Sequence, residues 1–318
     1  MTVRFYQSSD VGAPVLTSAP GSLANVLSKC LVEGYGSKAA AGWTKPYANG
    51  DSSIIALRQG GGANRLLRVD DSAAATTGTR STRMRGYETM TSIDAGNGAF
   101  PTLNQLSGGG VFWPMHYTGT ATNPHEWVVI ADETFFYLFN QTYPTQSSGY
   151  REVNWFGDLV KYGANDQYAT TLSGRGTEAI NSSEAYPLVS TSVTNGVGWH
   201  CCPRSYTGLG GCVFVGHHHD YPKSGTTTWG GDDGALSYPH GPDGGLLLSP
   251  AWVHEPSPSN IKQAALRGTL PGGWAPLQGV FSHGDTFDGQ GTFAGKKFWI
   301  GRVGTSARMA VEISDTWR

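Results

Sequence analysis

Charge is what this chain has least of. Aspartate, glutamate, lysine and arginine make up 14% of its 318 residues, well under the roughly 25% of ordinary soluble domains. The formal balance is −2, so no global field draws nucleic acid or anionic lipid to it. Cysteine is scarce as well: four residues do not make a disulfide framework in a chain this long. No run of about 18 apolar residues occurs, which excludes a helical membrane span. Met1-Thr2-Val3-Arg4-Phe5-Tyr6 alternates like a strand and lacks the apolar centre of a signal peptide, so synthesis in a cytoplasm is expected. A G-x-S-x-G elbow, a helical H-E-x-x-H and a phosphate-binding G-x-x-x-x-G-K-[ST] are all missing.

Glycine is abundant, at 45 residues, with 10 tryptophans and 14 tyrosines. The length suffices to bury a full core. Low charge with many turns suits a protein partly covered by neighbouring subunits. A loop-rich β protein that needs glycine at positive φ has the same composition.

The clearest structural text lies between residues 21 and 71. Leu23, Val26, Leu27, Cys30 and Leu31 recur at helical period and form one apolar stripe. Ser22 stands where an N-cap hydroxyl belongs, and Gly34 where a residue of positive φ ends a helix. Ser53 to Arg58 and Arg65 to Asp70 are β-rich runs around Gly60-Gly61-Gly62, which predicts a hairpin packed against the helix stripe. Strand pattern on both sides makes the glycine cluster a turn rather than a phosphate loop. A second hairpin is predicted from Trp127–Ala131 and Thr134–Phe139, joined by Asp132-Glu133. Further strands are expected at 153–156, 168–172, 212–215, 264–270, 297–303 and 310–313, with Phe298 and Trp299 in a C-terminal core. Arg80, Arg83 and Arg85 form the one basic run, read as a solvated loop or a subunit contact.

The fold class is therefore mainly β, with antiparallel sheets or a sandwich and one clear N-terminal helix. From about residue 190 the texture changes to glycine, tryptophan and histidine. Two domains, 1–190 and 191–318, are one organisation and a single domain is the other. No repeat of fixed period appears, which weighs against a propeller or solenoid.

Candidate chemistry concentrates in the second part. In Gly216-His217-His218-His219-Asp220, a continuing strand would put His217 and His219 on one face. Such a pair can hold a transition metal through neutral imidazoles, with His200, His240 or a cysteine completing the set. The plainer reading is three histidines at a strand end, and no other cofactor is implied. Cys201, Cys202 and Cys212 do not match zinc-ribbon spacing and read as reduced, buried thiols. His254-Glu255, His283-Gly284-Asp285, Asp232-Asp233 and Asp243 offer acid–base groups on paper, but acids beside glycines are ordinary turn chemistry. The expectation is a non-enzyme. Trp199, Trp229, Trp252 and Trp274 lie in turn-rich sequence, where aromatics serve a glycan surface or a subunit interface, and interfaces are favoured.

Three separated stretches resemble a family of virion structural proteins of tailed bacteriophages. The first runs from Gly21-Ser22-Leu23 through Gly34-Tyr35-Gly36-Ser37-Lys38-Ala39-Ala40-Ala41-Gly42-Trp43-Thr44-Lys45 to Leu66–Asp71. The second is Met84-Arg85-Gly86-Tyr87-Glu88-Thr89-Met90. The third combines Arg267 to Leu277, His283 to Phe287 and Thr316-Trp317-Arg318. The resemblance implies a component of the virion, tail-, baseplate- or neck-associated, whose partners are its own copies and other virion proteins. It supplies no catalytic residues. The competing expectations are a tail protein that binds or hydrolyses host-surface glycan, and a capsid decoration protein.

Overall fold

The computed structural model of the chain describes residues 2–73, 80–106, 109–116, 122–142, 151–176, 199–218, 247–255, 265–276, 281–303 and 307–317. It is mainly β and antiparallel, as the patterning implies. Its central sheet orders seven strands as Arg4–Gln7, Trp127–Ala131, Phe135–Gln141, Arg151–Asp158, Thr170–Gly174, Trp199–Cys202 and Val213–Phe214. The hairpin predicted at 127–139 forms its middle, with Ala131 opposite Phe136 and Val129 opposite Leu138.

Both faces of this sheet are covered. Val129, Ala131, Phe136, Leu138, Phe156 and Cys201 enter one hydrophobic core. Their alternating neighbours Val128, Ile130, Phe135, Tyr137, Trp155 and Cys202 enter another. Strict alternation of side chains along a strand puts successive residues on opposite faces. A strand covered twice must therefore be apolar at every position, which is why Trp127–Ala131 carries no polar residue and is buried throughout.

The first core is closed by the helix and a five-stranded sheet, Thr44–Ala48, Ile54–Arg58, Leu66–Asp70, Arg80–Tyr87 and Val111–His116. Leu23, Val26, Leu27, Cys30 and Leu31 are completely buried there, against Ile55, Leu57, Leu67 and Val69. The helix stripe and the glycine-turn hairpin thus pack as expected. The helix runs Ser22–Ser28 and then widens to π geometry over Lys29–Glu33 before Gly34, which has φ 79°. The second core is closed by a sheet ordered Gly216–His218, Leu248–Glu255, Ala265–Pro276, Ala307–Glu312, Lys297–Val303 and Thr286–Asp288. Trp299 faces the central sheet, whereas Phe298 lies on the far side with Ile300 and Ala310.

The helix start differs from the expectation. Ser22 is the first helical residue, and its hydroxyl accepts from the Thr17 N–H at 2.7 Å instead of capping. The cap comes from Asp71, whose Oδ2 accepts the N–H groups of Leu23 at 2.8 Å and Ala24 at 3.3 Å. Its other oxygen accepts from Thr82 at 2.8 Å and pairs with Arg80. Arg80 is therefore buried, not a solvated residue of the basic run. A carboxylate just past the strand Leu66–Asp70 does the work because the dipole and free N–H groups of a helix start favour an anion there.

The boundary expected near residue 190 falls outside the described residues. The central sheet passes across it, with Leu172 paired to Cys201 and Ser173 to His200. The two-residue strand Val160–Lys161 likewise pairs with Thr269 and Gly268 of the outer sheet.

Removing the Asp71 carboxylate strips two helix N–H groups of their acceptor and leaves the Arg80 charge buried without its partner. Asp71→Ala should cost about 3–5 kcal/mol. Urea unfolding measures it, and a loss under about 1 kcal/mol, the scale of an exposed pair, would remove Asp71 from this role.

Candidate functional site

Two of the described histidines, His125 and His283, sit in pairs that resemble catalytic constellations until their partners are counted. His125 Nδ1 lies 2.8 Å from the Gln141 carbonyl, which can only accept, so that nitrogen carries the proton. Nε2 then accepts from the Ser18 hydroxyl at 3.3 Å. A serine bonded to a histidine is the start of a nucleophile arrangement, but both side chains are buried, at 0% and 2% exposure, and no substrate reaches them. They tie residues 14–18 to the entry of the central hairpin, where Leu16 bridges His125. The 107-residue separation hides this pair from the sequence.

His283 is arranged the other way. Its Nδ1 accepts the Arg302 N–H at 3.1 Å, so Nε2 carries the proton and donates to Glu126 Oε1 at 2.9 Å. A base whose second nitrogen is occupied by a backbone N–H has no room for a nucleophile. The neighbouring Asp285 accepts from the Ser282 N–H at 2.6 Å in a tight turn. Glu255 accepts from Arg267 and from the Tyr206 N–H, both at 2.6 Å.

The thiols are as expected. All four cysteines are free and buried. Burial pushes the Cys202 thiol up to about 12 and the Cys201 thiol well above its ordinary value, which disfavours the thiolate needed for metal binding or nucleophilic attack. His200 is stacked on Trp155 at 4.9 Å. Among the described residues no group of three His, Cys, Asp or Glu side chains could hold a metal ion. His217 sits on the strand Gly216–His218, opposite Val253. His219, His240, Asp232, Asp233, Asp243 and Trp229 lie outside the described residues.

The proposed aromatic surface divides. Trp199 opens a strand of the central sheet. Trp274 is half-buried and packs edge-on against Phe293 at 4.8 Å. Trp252 is also half-buried, and its Nε1 donates to the Tyr162 hydroxyl at 3.0 Å. The described residues also form an open cleft, and Trp252 is not among the residues that line it.

That cleft, of about 710 Å³, is where the hairpin turn of the five-stranded sheet meets the end of the central strand Arg151–Asp158. It is lined by Gly62, Arg65, Asp158, Lys161, Asp166 and Gln167, among others. Gly62 has φ +62°, and a Cβ on it would collide with Asp158 Oδ2. The same oxygen accepts the Ala63 N–H at 2.6 Å, and Oδ1 accepts from the Thr170 hydroxyl at 2.6 Å. The glycine turn thus directs an N–H at a carboxylate, the reverse of a phosphate cradle. Asp166 is held by Arg267, from Nε at 2.6 Å and from Nη2 at 2.9 Å. Sequence reading missed this cleft because it is built by residues some 95 positions apart, as in the Ala63–Asp158 bond, and has no local motif.

No protein-family model and no curated protein matches this chain.

Hydrogen bonds from His283, and then from Arg151, hold the Glu126 carboxyl down from 4.5 to about 2. A depressed carboxyl contributes stability that is present above its unfolded value and lost as pH falls through its folded value. Between about pH 5 and pH 2 the parent should therefore lose more stability than Glu126→Gln. Equal losses, read from urea midpoints across that window, would show that the pair contributes nothing.

Proposed function

We propose that the chain is a non-enzymatic structural component of a tailed-phage virion, forming an oligomeric part of the tail, baseplate or neck. The observation that carries this reading is the placement of its uncovered apolar side chains. Val11 and Val15, 92% and 62% exposed, stand on the segment after the first strand. Leu103 and Leu209, 68% and 75% exposed, stand on neighbouring loops tied by the 2.9 Å bond from Gln105 Nε2 to the Cys212 carbonyl. Large aliphatic side chains left this open are assembly contacts when the rest of the surface is charge-poor. Two separate patches suit the head-to-tail contacts of a closed ring, in which each copy offers different surfaces to its two neighbours.

The polar interior supports the same reading. The buried Arg80, Arg175 and Arg267 each pair with a carboxylate, and the described histidine–carboxylate and serine–histidine pairs are closed by backbone groups. These are braces for a rigid building block. The resemblance of the 21–71 block to phage virion proteins supplies the particle, and burial of the two patches between copies supplies the mechanism.

At high concentration the purified chain should sediment as an oligomer, and Val11→Asp combined with Leu209→Asp should sediment as a monomer with the parent's unfolding temperature. A parent that stays monomeric would count against assembly through these patches. Locating the chain in a density map of the intact particle tests the address, and absence from the particle would end the proposal.

A further inference from the structure

Cys201 and Cys212 meet on one face of the central sheet, and neither bracing nor assembly uses them. The pairing of Trp199–Cys202 with Val213–Phe214 sets Cys201 opposite Phe214 and Cys202 opposite Val213. One step further along that register, Cys212 comes opposite Pro203, two positions from Cys201. Side chains two apart on a strand share a face. Cys201 and Cys212 accordingly enter the first core, whereas Cys202 enters the second. The Cys201 and Cys212 thiols stand within side-chain hydrogen-bonding range of each other. Cys201 Sγ also donates to the Leu172 carbonyl at 3.8 Å.

The pair is not sealed from solvent. Cys201 is completely buried, but Cys212 keeps 9% exposure and follows the exposed run Leu209-Gly210-Gly211. A disulfide needs Cα atoms no more than about 7 Å apart. Diagonal neighbours of an antiparallel pair, at about 7–8 Å, only just meet that limit. The last fraction of an ångström falls to the chain before Cys212, which lies outside the strand Val213–Phe214. Gly210 has φ +72°, and a Cβ built on it would meet nothing within 4 Å, so this end has room to shift.

We propose that Cys201 and Cys212 form a dithiol site that a small hydroperoxide converts to a disulfide. Cys212, the more accessible sulfur, attacks one peroxide oxygen and becomes a sulfenic acid. The O–O bond breaks, and the departing hydroxide leaves as water with the Cys212 proton. Burial keeps the Cys201 thiol neutral, so Cys201 is the resolving group rather than the first attacker. Its sulfur attacks the Cys212 sulfur, the S–O bond breaks, and its proton leaves with the hydroxide as a second water. The thiol pair gives up two electrons, and the peroxide takes both. The bond closes the loop 203–211, which carries the exposed Leu209, onto the central sheet. A reducing cytoplasm keeps the pair as thiols, so the bond forms once the chain meets an oxidant. The site stands apart from assembly, which is read by sedimentation.

The test exposes the folded full chain to hydrogen peroxide and then counts thiols in denaturant with a thiol-reactive chromophore. The four free thiols should fall to two, and dithiothreitol should restore all four. Tryptic cleavage after Arg204 separates Cys201 from Cys212, so mass spectrometry should find one linked pair of peptides. Fragment spectra of that pair should place the bond on Cys201 and not on its neighbour Cys202. Cys202→Ser should still form the bond, whereas Cys201→Ser and Cys212→Ser should not. The parent's fragment map decides the matter even where a variant fails to fold. The proposal fails if four thiols persist, or if thiols are lost without a linked pair of peptides. It fails equally if Cys30 or Cys202 is a partner, or if a non-reducing gel shows the bond joining two chains.

Discussion

Burial of one sheet on both faces is the constraint from which most of this molecule follows. A strand covered on one side alternates apolar and polar residues, whereas one covered on both has no solvent side to spare. Trp127–Ala131 and Phe135–Phe139 are apolar at every position because odd and even residues feed different cores. Their aromatic content follows from the same demand. Large rings such as Phe136 with Trp43 and Trp113, or Tyr137 with Trp155 and Trp317, fill the space between layers in edge-on contacts. Close approach of the layers also requires glycine where chains meet: at Gly62, any side chain would displace Asp158.

The same constraint decides where charge goes. Two cores leave little surface per residue, and several of the few charged groups are used inside. Asp71 with Arg80 caps the helix, and Arg267 gathers Asp166 and Glu255. A buried ion pair gains little net stability, but breaking one is costly, so it specifies geometry more than it adds energy. The low charge of the composition and the bracing role of the buried arginines are thus one fact seen twice. It also accounts for a cleft lined by carboxylates that are already occupied by hydrogen-bond donors.

Legibility varied with range. The helix stripe, both hairpins and most later strands could be read because periodicity and turn residues act over a few positions. The cap of the helix could not. Ser22 has the right chemistry at the right place, but Asp71 displaced it with a stronger, charged acceptor from 48 residues away. Arg80 was misread for the same reason, since its partner is tertiary. The texture change near residue 190 is real in composition, yet the sheet pairs Leu172 with Cys201 across it. Of the aromatics singled out, Trp252 is held by a hydrogen bond to Tyr162, a residue with no distinguishing local pattern.

By itself, then, the sequence determined a charge-poor, glycine-rich, mainly antiparallel β chain, one helix with its buried stripe, two hairpins and four buried thiols. These depend on composition and on spacings of two to four residues, which the chain carries locally. Only the tertiary structure decided that the central sheet is covered twice, which carboxylate caps the helix, which arginines are braces, and that a cleft opens beside Gly62. Each of those depends on contacts between residues roughly 10 to 150 positions apart, and no local pattern encodes which distant partner a buried charge or an exposed ring will meet.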